Sequence, residues 1–166
     1  MASRARPRPT HLDRDGKVHV VDVGAKPSTR RRAEAEATVV TTAAVARAIR
    51  DGETPKGDVS AVARVAAIQG AKRTSELVPL CHPLALTHLA ADVTIATTRA
   101  GVGTVRVVVS AECVGPTGVE MEAMCGASIG ALTIYDMIKG LDRGATIERV
   151  ALRAKSGGRS GDWRRG

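Results

Sequence analysis

The stretch TGVEMEAMCGASIGALTIYDMIK, residues 117–139, carries the strongest prediction of local structure in the chain. Its first four residues match a capping box, in which the Thr hydroxyl and the Glu carboxylate each bind a free backbone N–H, so a helix should begin there. The uncharged run from Ala123 to Asp136 is too short to cross a membrane and predicts a buried helix. Its many Ala, Gly and Ser residues allow a sheet or second helix to approach closely. We expect this helix to end near Lys139, with Gly140 as its stop.

Alternating apolar residues predict strands on both sides of this helix. Residues 84–98 and 104–114 precede it and form a hairpin through the glycine-rich turn 101–103. Residues 146–154 follow it, and residues 33–40 form an earlier strand. The basic segment that leads into this earlier strand is predicted to be an extended arm.

Two further helices are predicted after the first strand. Thr41 or Thr42 can cap a helix that runs to about Arg50, and Gly52 can end it. A second helix begins near Asp58, and a loop through residues 80–83 follows it. The order strand, helices, two strands, helix, strand predicts an α+β fold. This order of elements is the one found in a ferredoxin-like split βαβ sandwich, which is an antiparallel sheet with helices packed on one face.

Length and composition favour one domain. The chain has 166 residues, of which 43% are hydrophobic and 25% charged, close to globular averages. We expect an ordered body at residues 11–156 and basic flexible tails at 1–10 and 157–166. The chain has no Phe, one Tyr (Tyr135) and one Trp (Trp163). The core must therefore consist of Val, Ala, Leu, Ile and Met. Protein classes that stack single-stranded nucleic acid on several aromatic side chains are therefore disfavoured.

The net charge of +8 does not by itself predict a nucleic-acid partner. Most of the excess lies in the two tails, and the body is nearly neutral. A basic tail steers polyanions loosely, and a small polyanionic substrate fits equally well. We therefore expect no nucleic-acid partner. We also expect no membrane partner, because no uncharged run is long enough to span a bilayer.

The cysteines and the first residues point to the cytoplasm. The three cysteines are odd in number and far apart, which favours neither a disulfide framework nor a zinc site. The Arg-rich start is interrupted by Pro7 and Pro9, which prevents an amphipathic targeting helix. We expect a reducing, cytoplasmic location and no metal site.

Three charged residues are candidates for chemistry. Lys56 precedes a helix N-terminus, where the dipole disfavours a cation, so it is either an exposed loop lysine or a phosphate ligand. Asp136 and Lys139 share a helix face and can pair. Lys139 needs no functional explanation, because the helix dipole favours a cation at a helix C-terminus. Partial burial of Asp136 would raise its pKa towards the range of general acid–base catalysis.

Other residues allow both a structural and a functional interpretation. His82 precedes Pro83 in a loop, where it can be a structural histidine or face a ligand. Glu120 and Glu122 complement the dipole of the long helix, or contact a ligand. The runs Arg30–Arg32 and Lys155–Gly161 are either solvated charges or phosphate contacts.

Helix geometry separates the candidates. Position 136 lies fourteen residues beyond Glu122, so the two face the same way but stand about 21 Å apart along the axis. A small substrate cannot easily touch both in one chain. If both ends function, a site at a subunit interface is the expected solution.

Five blocks of sequence, taken together, resemble one family. In chain order they are KGD (56–58), LCHP (80–83), TGVEMEA (117–123), LTIYDM (132–137) with Lys139, and AKSGG (154–158). In this order they resemble the cyclic pyranopterin monophosphate synthases, the MoaC family of molybdenum cofactor biosynthesis. The resemblance covers about residues 11–162. The small or apolar residues 124–126 depart from the family pattern without affecting its chemistry.

The resemblance implies an activity and an assembly. The expected activity is a lyase-type conversion of the 3′,8-cyclised dihydro form of GTP into cyclic pyranopterin monophosphate and pyrophosphate. The expected assembly is a homo-hexamer, a trimer of dimers, with active sites at dimer interfaces. No cofactor is implied, and a divalent ion that accompanies the triphosphate is left open.

The resemblance also implies residue roles. Asp136, Lys139 and Lys56 match the catalytic acid–base set. The positions matching substrate-binding residues are Leu80, Cys81, His82, Glu120, Met121, Glu122 and Arg31, the last as a triphosphate ligand.

Two other functions remain open at this point. A basic ferredoxin-like RNA-binding module would bind RNA tightly and with steep salt dependence, even after Asp136→Asn. A chain that keeps the motifs but has lost activity could act only as an assembly partner. Turnover of the cyclised dihydro-GTP separates both from the synthase.

Overall fold

Five strands form one antiparallel sheet in the computed structural model, which describes residue 11 and residues 15–166. In chain order they are β1 (Thr29–Thr42), β2 (Leu86–Thr97), β3 (Val102–Gly115), β4 (Thr146–Ser156) and β5 (Trp163–Arg164). Their order across the sheet is β2-β3-β1-β4-β5. With two long helices between the first four strands, this is a ferredoxin-like arrangement, and the predicted fold class is confirmed.

Four helices complete the fold: α1 (Ala43–Asp51), α2 (Val59–Lys72), α3 (Thr74–Leu77) and α4 (Glu120–Ile138). The side chains of Thr42 and Asp58 cap α1 and α2 as predicted, and Gly52 ends α1 in a left-handed conformation. The short α3 lies where the sequence predicts only a loop. None of the helices in the described part of the chain is long and apolar enough to cross a membrane.

The core lies between the sheet and the helices and is built from small residues. Alternate residues of β1 and β3 face the helices, as the period of a half-buried strand requires. The fully buried members on these two strands are Ala35, Ala37, Val39, Val105, Val107, Val109 and Ala111. On the sheet side, the core therefore consists of Ala and Val side chains, as expected for a chain without Phe.

Helix α4 packs closely against α2 and the sheet because glycines face both. A Cβ atom on Gly126 would lie 2.8 Å from the backbone oxygen of Ala67 on α2. A Cβ atom on Gly130 would lie 2.9 Å from Cγ1 of Val107 on β3. The axis of α4 is therefore fixed by backbone contact rather than by interlocking large side chains.

Two element boundaries differ from the sequence prediction. The capping box is wrong: α4 begins at Glu120 with Val119 as N-cap and no side-chain cap. The Glu120 carboxylate instead lies 3.6 Å from Nζ of Lys155, a tertiary partner that the local pattern could not reveal. The predicted basic arm is also part of the sheet, because β1 begins at Thr29, which pairs with Gly115.

The two predicted tails have different outcomes. Residues 1–10 lie outside the described residues. In the C-terminal segment, Trp163 and Arg164 pair with Lys155 and Ala154 of β4, so this part of the predicted flexible tail is a strand. That the whole chain forms a single domain stays a prediction.

Replacing Gly126 tests the close packing of α4. Gly126→Val should lower the free energy of unfolding by about 2–3 kcal/mol, since the added atoms meet the α2 backbone and cannot be relieved by a side-chain rotation. Gly140→Val is the matched control, because nothing lies within 4 Å of a Cβ atom there and its φ is not positive. Urea unfolding at fixed protein concentration measures both. Equal stability of the two variants would contradict the packing argument.

Candidate active site

Three side chains meet at the C-terminal end of α4 and are called here the C-terminal cluster: Lys56, Asp136 and Lys139. Nζ of Lys56 lies 2.8 Å from Oδ2 of Asp136, and Nζ of Lys139 lies 2.7 Å from Oδ1. Lys56 also donates to the backbone oxygen of Asp136 at 2.8 Å. Each carboxylate oxygen therefore has its own ammonium partner.

Local structure explains how Lys56 reaches this position. It lies in the turn between α1 and α2, where Gly57 has a φ of +84° and the Thr54 hydroxyl donates to the Gly57 oxygen. This turn directs Lys56 towards the end of α4. Asp136 and Lys139 are three residues apart and share one face of the last turn, as the sequence predicts.

The electrostatics of Asp136 differ from the prediction. Its side chain is 55% exposed, so the expected partial burial is wrong. Hydrogen bonds from Lys139 and Lys56 lower the pKa of Asp136 to about 2, and Asp136 in turn raises the pKa of Lys139. At neutral pH Asp136 is therefore an ionised carboxylate that accepts hydrogen bonds from two flanking cations.

The C-terminal cluster borders a cavity of about 340 Å³. Tyr135, Gly140 and Arg143 line it together with Lys56 and Lys139. The cavity thus has cationic groups beside an ionised carboxylate, an arrangement suited to an anionic ligand with an exchangeable proton.

A second candidate region lies at the other end of α4 and is called here the N-terminal cleft. Its volume is about 540 Å³, and it contains the predicted binding residues Leu80, Cys81, His82, Glu120, Met121 and Glu122. The chain segment around Val21 closes one side, where Nε2 of His82 lies 2.8 Å from the Val21 carbonyl oxygen. Since a carbonyl only accepts, Nε2 of His82 carries the hydrogen in this contact.

Burial sets the chemistry of the N-terminal cleft. The Glu122 residue is only 5% exposed, and desolvation raises the pKa of its carboxyl. Desolvation also raises the pKa of the Cys81 thiol, with a smaller contribution from Glu122. The cleft therefore favours neutral forms of these groups, in contrast to the C-terminal cluster.

An adjoining cavity of about 650 Å³ is strongly basic. It shares Lys26, Glu120 and Arg159 with the N-terminal cleft, and adds Arg31 and Lys155. The Arg31 guanidinium donates to the backbone oxygens of Gly115 and Pro116 at 3.3 Å. These bonds hold the side chain in place near the start of β1. Arg31, the predicted triphosphate ligand, thus lies beside the other predicted substrate-binding residues.

The predicted site residues therefore form two groups rather than one. Lys56, Asp136 and Lys139 lie together at one end of α4, and the other seven lie near its other end. The fourteen residues from Glu122 to Asp136 put about 21 Å of helix between the groups. Among residue 11 and residues 15–166, no three His, Cys, Asp or Glu side chains come together to hold a metal ion.

A family model described as the MoaC family matches residues 20–158. The chain belongs to the MoaC family. MoaC proteins are enzymes of molybdenum cofactor biosynthesis and act on a small-molecule pterin precursor, so this chain has a role in that pathway.

The structure adds basic residues that the predicted MoaC site set omits. Lys26, Lys155 and Arg159 line the cavities near the α4 N-terminus, and Arg143 lines the cavity of the C-terminal cluster. The AKSGG block signals Lys155, but Lys26 and Arg143 stand in no motif. The folding of distant segments brings Lys26 to its cavity, whereas Arg143 follows Lys139 by only four residues.

The pKa of Asp136 can be tested directly. Carbon-detected NMR should show Asp136 titrating near pH 2 in the native protein. Lys139→Met should raise that pKa towards about 3.9, and Lys56→Met should raise it less, because the Lys139 hydrogen bond is the larger cause.

The same pKa fixes the sign of the effect on stability. Because the folded pKa is lowered, the two ion pairs stabilise the fold above about pH 4. This contribution is lost as the pH falls through about 2. Lys72→Met on α2 is the control and should leave the Asp136 titration unchanged. Titration of native Asp136 near pH 4 would contradict the ion-pair geometry.

Proposed function

We propose that this protein is a cyclic pyranopterin monophosphate synthase. Its substrate would be (8S)-3′,8-cyclo-7,8-dihydroguanosine 5′-triphosphate, and its products cyclic pyranopterin monophosphate and pyrophosphate. The observation that carries the proposal is the C-terminal cluster, in which an ionised Asp136 lies between Lys56 and Lys139. Membership of the MoaC family supports the same reaction.

The cavities near the α4 N-terminus suit the two parts of this substrate. The basic cavity, with Arg31, Lys155 and Arg159, offers cations to the triphosphate. The N-terminal cleft has the buried Glu122 and the His82 ring, which can hydrogen-bond the edge of a purine-derived ring. Cys81 and Met121 supply an adaptable apolar surface for the same ring.

The C-terminal cluster suits the chemical steps. Closing the cyclic phosphate forms a bond from a sugar hydroxyl oxygen to the α-phosphorus, and breaks the bond from that phosphorus to the oxygen of the leaving pyrophosphate. The hydroxyl proton needs an acceptor. We assign this role to Asp136 once the phosphoryl oxygens of the substrate engage Lys56 and Lys139, because losing the two hydrogen bonds that hold its pKa at about 2 makes the carboxylate a stronger base. Lys56 and Lys139 can neutralise the charge that develops on the phosphoryl oxygens, and can donate protons during ring opening.

Two subunits are needed to unite the parts. Because about 21 Å of α4 separates the C-terminal cluster from the N-terminal cleft, one chain cannot present both to a small substrate. We propose a homo-hexamer, a trimer of dimers, in which the C-terminal cluster of one subunit completes the N-terminal cleft of its partner. The mechanism needs no resident cofactor, and a divalent ion held by the triphosphate is compatible with it. We further propose a cytoplasmic location, where the free Cys81, Cys113 and Cys125 would remain reduced.

Turnover tests the proposed reaction. The purified protein, supplied with the cyclised dihydro-GTP, should release pyrophosphate together with cyclic pyranopterin monophosphate. Asp136→Asn and Lys139→Ala should each lower kcat by about a hundredfold or more, since each removes a group that handles protons or charge in the transition state. Asp51→Asn and Lys72→Ala are matched controls on exposed positions of α1 and α2 and should retain activity. Absence of turnover by the wild-type protein would refute the proposal.

Mixing of inactive variants tests the shared site. Asp136→Asn removes the carboxylate of the C-terminal cluster, and Glu122→Ala removes the buried carboxyl group of the N-terminal cleft. Random mixed dimers of these two should regain about a quarter of the wild-type sites, because half of the dimers are mixed and each has one intact site. A mixture of Asp136→Asn with Lys139→Ala should stay inactive, since both changes affect the same cluster. Equal behaviour of the two mixtures would contradict a site built from two subunits.

A further inference from the structure

The face of the sheet opposite the helices carries a cluster of charged residues that the proposed reaction does not use. On β1, residues 33, 35 and 37 face the core, so 34, 36 and 38 point to this opposite face. Thr38 pairs in register with Arg106 on β3 and with Arg149 on β4. Two arginines therefore flank the central strand at one level of the sheet.

Glu36 is the centre of the cluster. Its residue is only 8% exposed, and three guanidinium groups surround its carboxylate. The nitrogen to oxygen distances are 3.9 Å for Arg106, 3.6 Å for Arg149 and 3.5 Å for Arg153. Arg153 also lies 3.2 Å from Glu34. Glu36 and Glu34 thereby orient arginines from β3 and β4, the two strands that flank β1.

The arginines keep binding capacity beyond these ion pairs. Separations of 3.5–3.9 Å are longer than charge-assisted hydrogen bonds, and each guanidinium has five N–H donors. The three side chains are 42–53% exposed. Many donors therefore face solvent on side chains that Glu36 already holds in place, and this preorganisation lowers the cost of ordering them round a ligand.

The C-terminal segment adds two more arginines to the cluster. Because β5 pairs with β4, Arg164 and Arg165 lie beside Arg153 and Ala154. Nε of Arg165 donates to the Leu152 oxygen at 2.8 Å, which fixes its position. The resulting cavity of about 320 Å³ is lined by five arginines, by the carboxylates of Glu34 and Glu36, and by Ala154 and the terminal Gly166.

We propose that this cluster, Arg106, Arg149 and Arg153 round Glu36 with Arg164 and Arg165 at the rim, is an anion-binding site. Its ligand class is a compact inorganic polyphosphate, of which pyrophosphate is the smallest member. Several forked guanidinium groups converging on one small cavity match the multiple oxygens of such an ion.

Other occupants fit this cavity less well. A second copy of the chain would bring another positively charged face against it, which opposes association. RNA would need stacking surfaces, and the neighbouring aromatic ring, Trp163, already has the Arg165 guanidinium 5.6 Å from its centre. The site shares none of its five arginines with the cavities of the proposed substrate site, so the inference does not rest on the proposed reaction.

Calorimetric titration with pyrophosphate in metal-free buffer tests the site. The double variant Arg106→Gln with Arg149→Gln should weaken one class of pyrophosphate binding at least tenfold and leave kcat/KM for the proposed reaction unchanged. Arg31→Gln with Lys155→Gln, in the proposed substrate site, should leave that class intact. Arg106→Lys with Arg149→Lys keeps the charge without the forked geometry and should bind with intermediate affinity.

The control is Arg47→Gln with Arg64→Gln, which removes two exposed arginines on α1 and α2 and should bind pyrophosphate as wild type does. Wild-type binding by the Arg106 and Arg149 glutamine variant would overturn the proposal, as would equal weakening in the control. A change of oligomeric state in the glutamine variant, seen by sedimentation, would instead make this face an interface between copies. Tighter binding of single-stranded RNA than of pyrophosphate to the same arginines would also overturn it.

Discussion

The close contact of α4 with α2 and the central strands is the constraint on which the rest of the structure depends. Gly126 and Gly130 leave no room for a Cβ atom against the α2 backbone and β3. In a core without Phe, this contact replaces the interlocking of large side chains. It fixes the axis of a nineteen-residue helix and so fixes where its two ends emerge. Both groups of candidate site residues lie close to those ends.

The two ends of α4 have opposite electrostatic environments. At the C-terminal cluster, an exposed Asp136 is kept ionised by two lysines. In the N-terminal cleft, burial favours the neutral forms of Glu122 and Cys81. The first environment suits neutralisation of an anionic ligand, and the second suits hydrogen bonding to a neutral ring. A substrate that combines a polyphosphate with a purine-derived ring uses both, which is why a partner subunit is central to the proposed mechanism.

Much of the local structure is predictable from short-range patterns. Thr42 and Gly52 bound α1, Asp58 caps α2, and the strand periods place β2, β3 and β4 within a few residues of their observed ends. Three of the errors share one cause, a partner distant in sequence. The Glu120 carboxylate pairs with Lys155 instead of the backbone N–H that a capping box requires. Pairing with β3 makes β1 begin at Thr29, and pairing with β4 makes Trp163 part of a strand. No local pattern contains these contacts.

The sequence by itself determined the ferredoxin-like fold class, the family, and the pairing of Asp136 with Lys139, because periodicity, motif order and i,i+3 spacing are properties of the chain. Only the tertiary structure decided that Lys56, eighty positions from Asp136, holds the second oxygen of its carboxylate and lowers its pKa. It also decided that five arginines from β3, β4 and the C-terminal segment share one cavity. Burial and Coulomb interactions depend on distances through space, which a linear sequence does not specify.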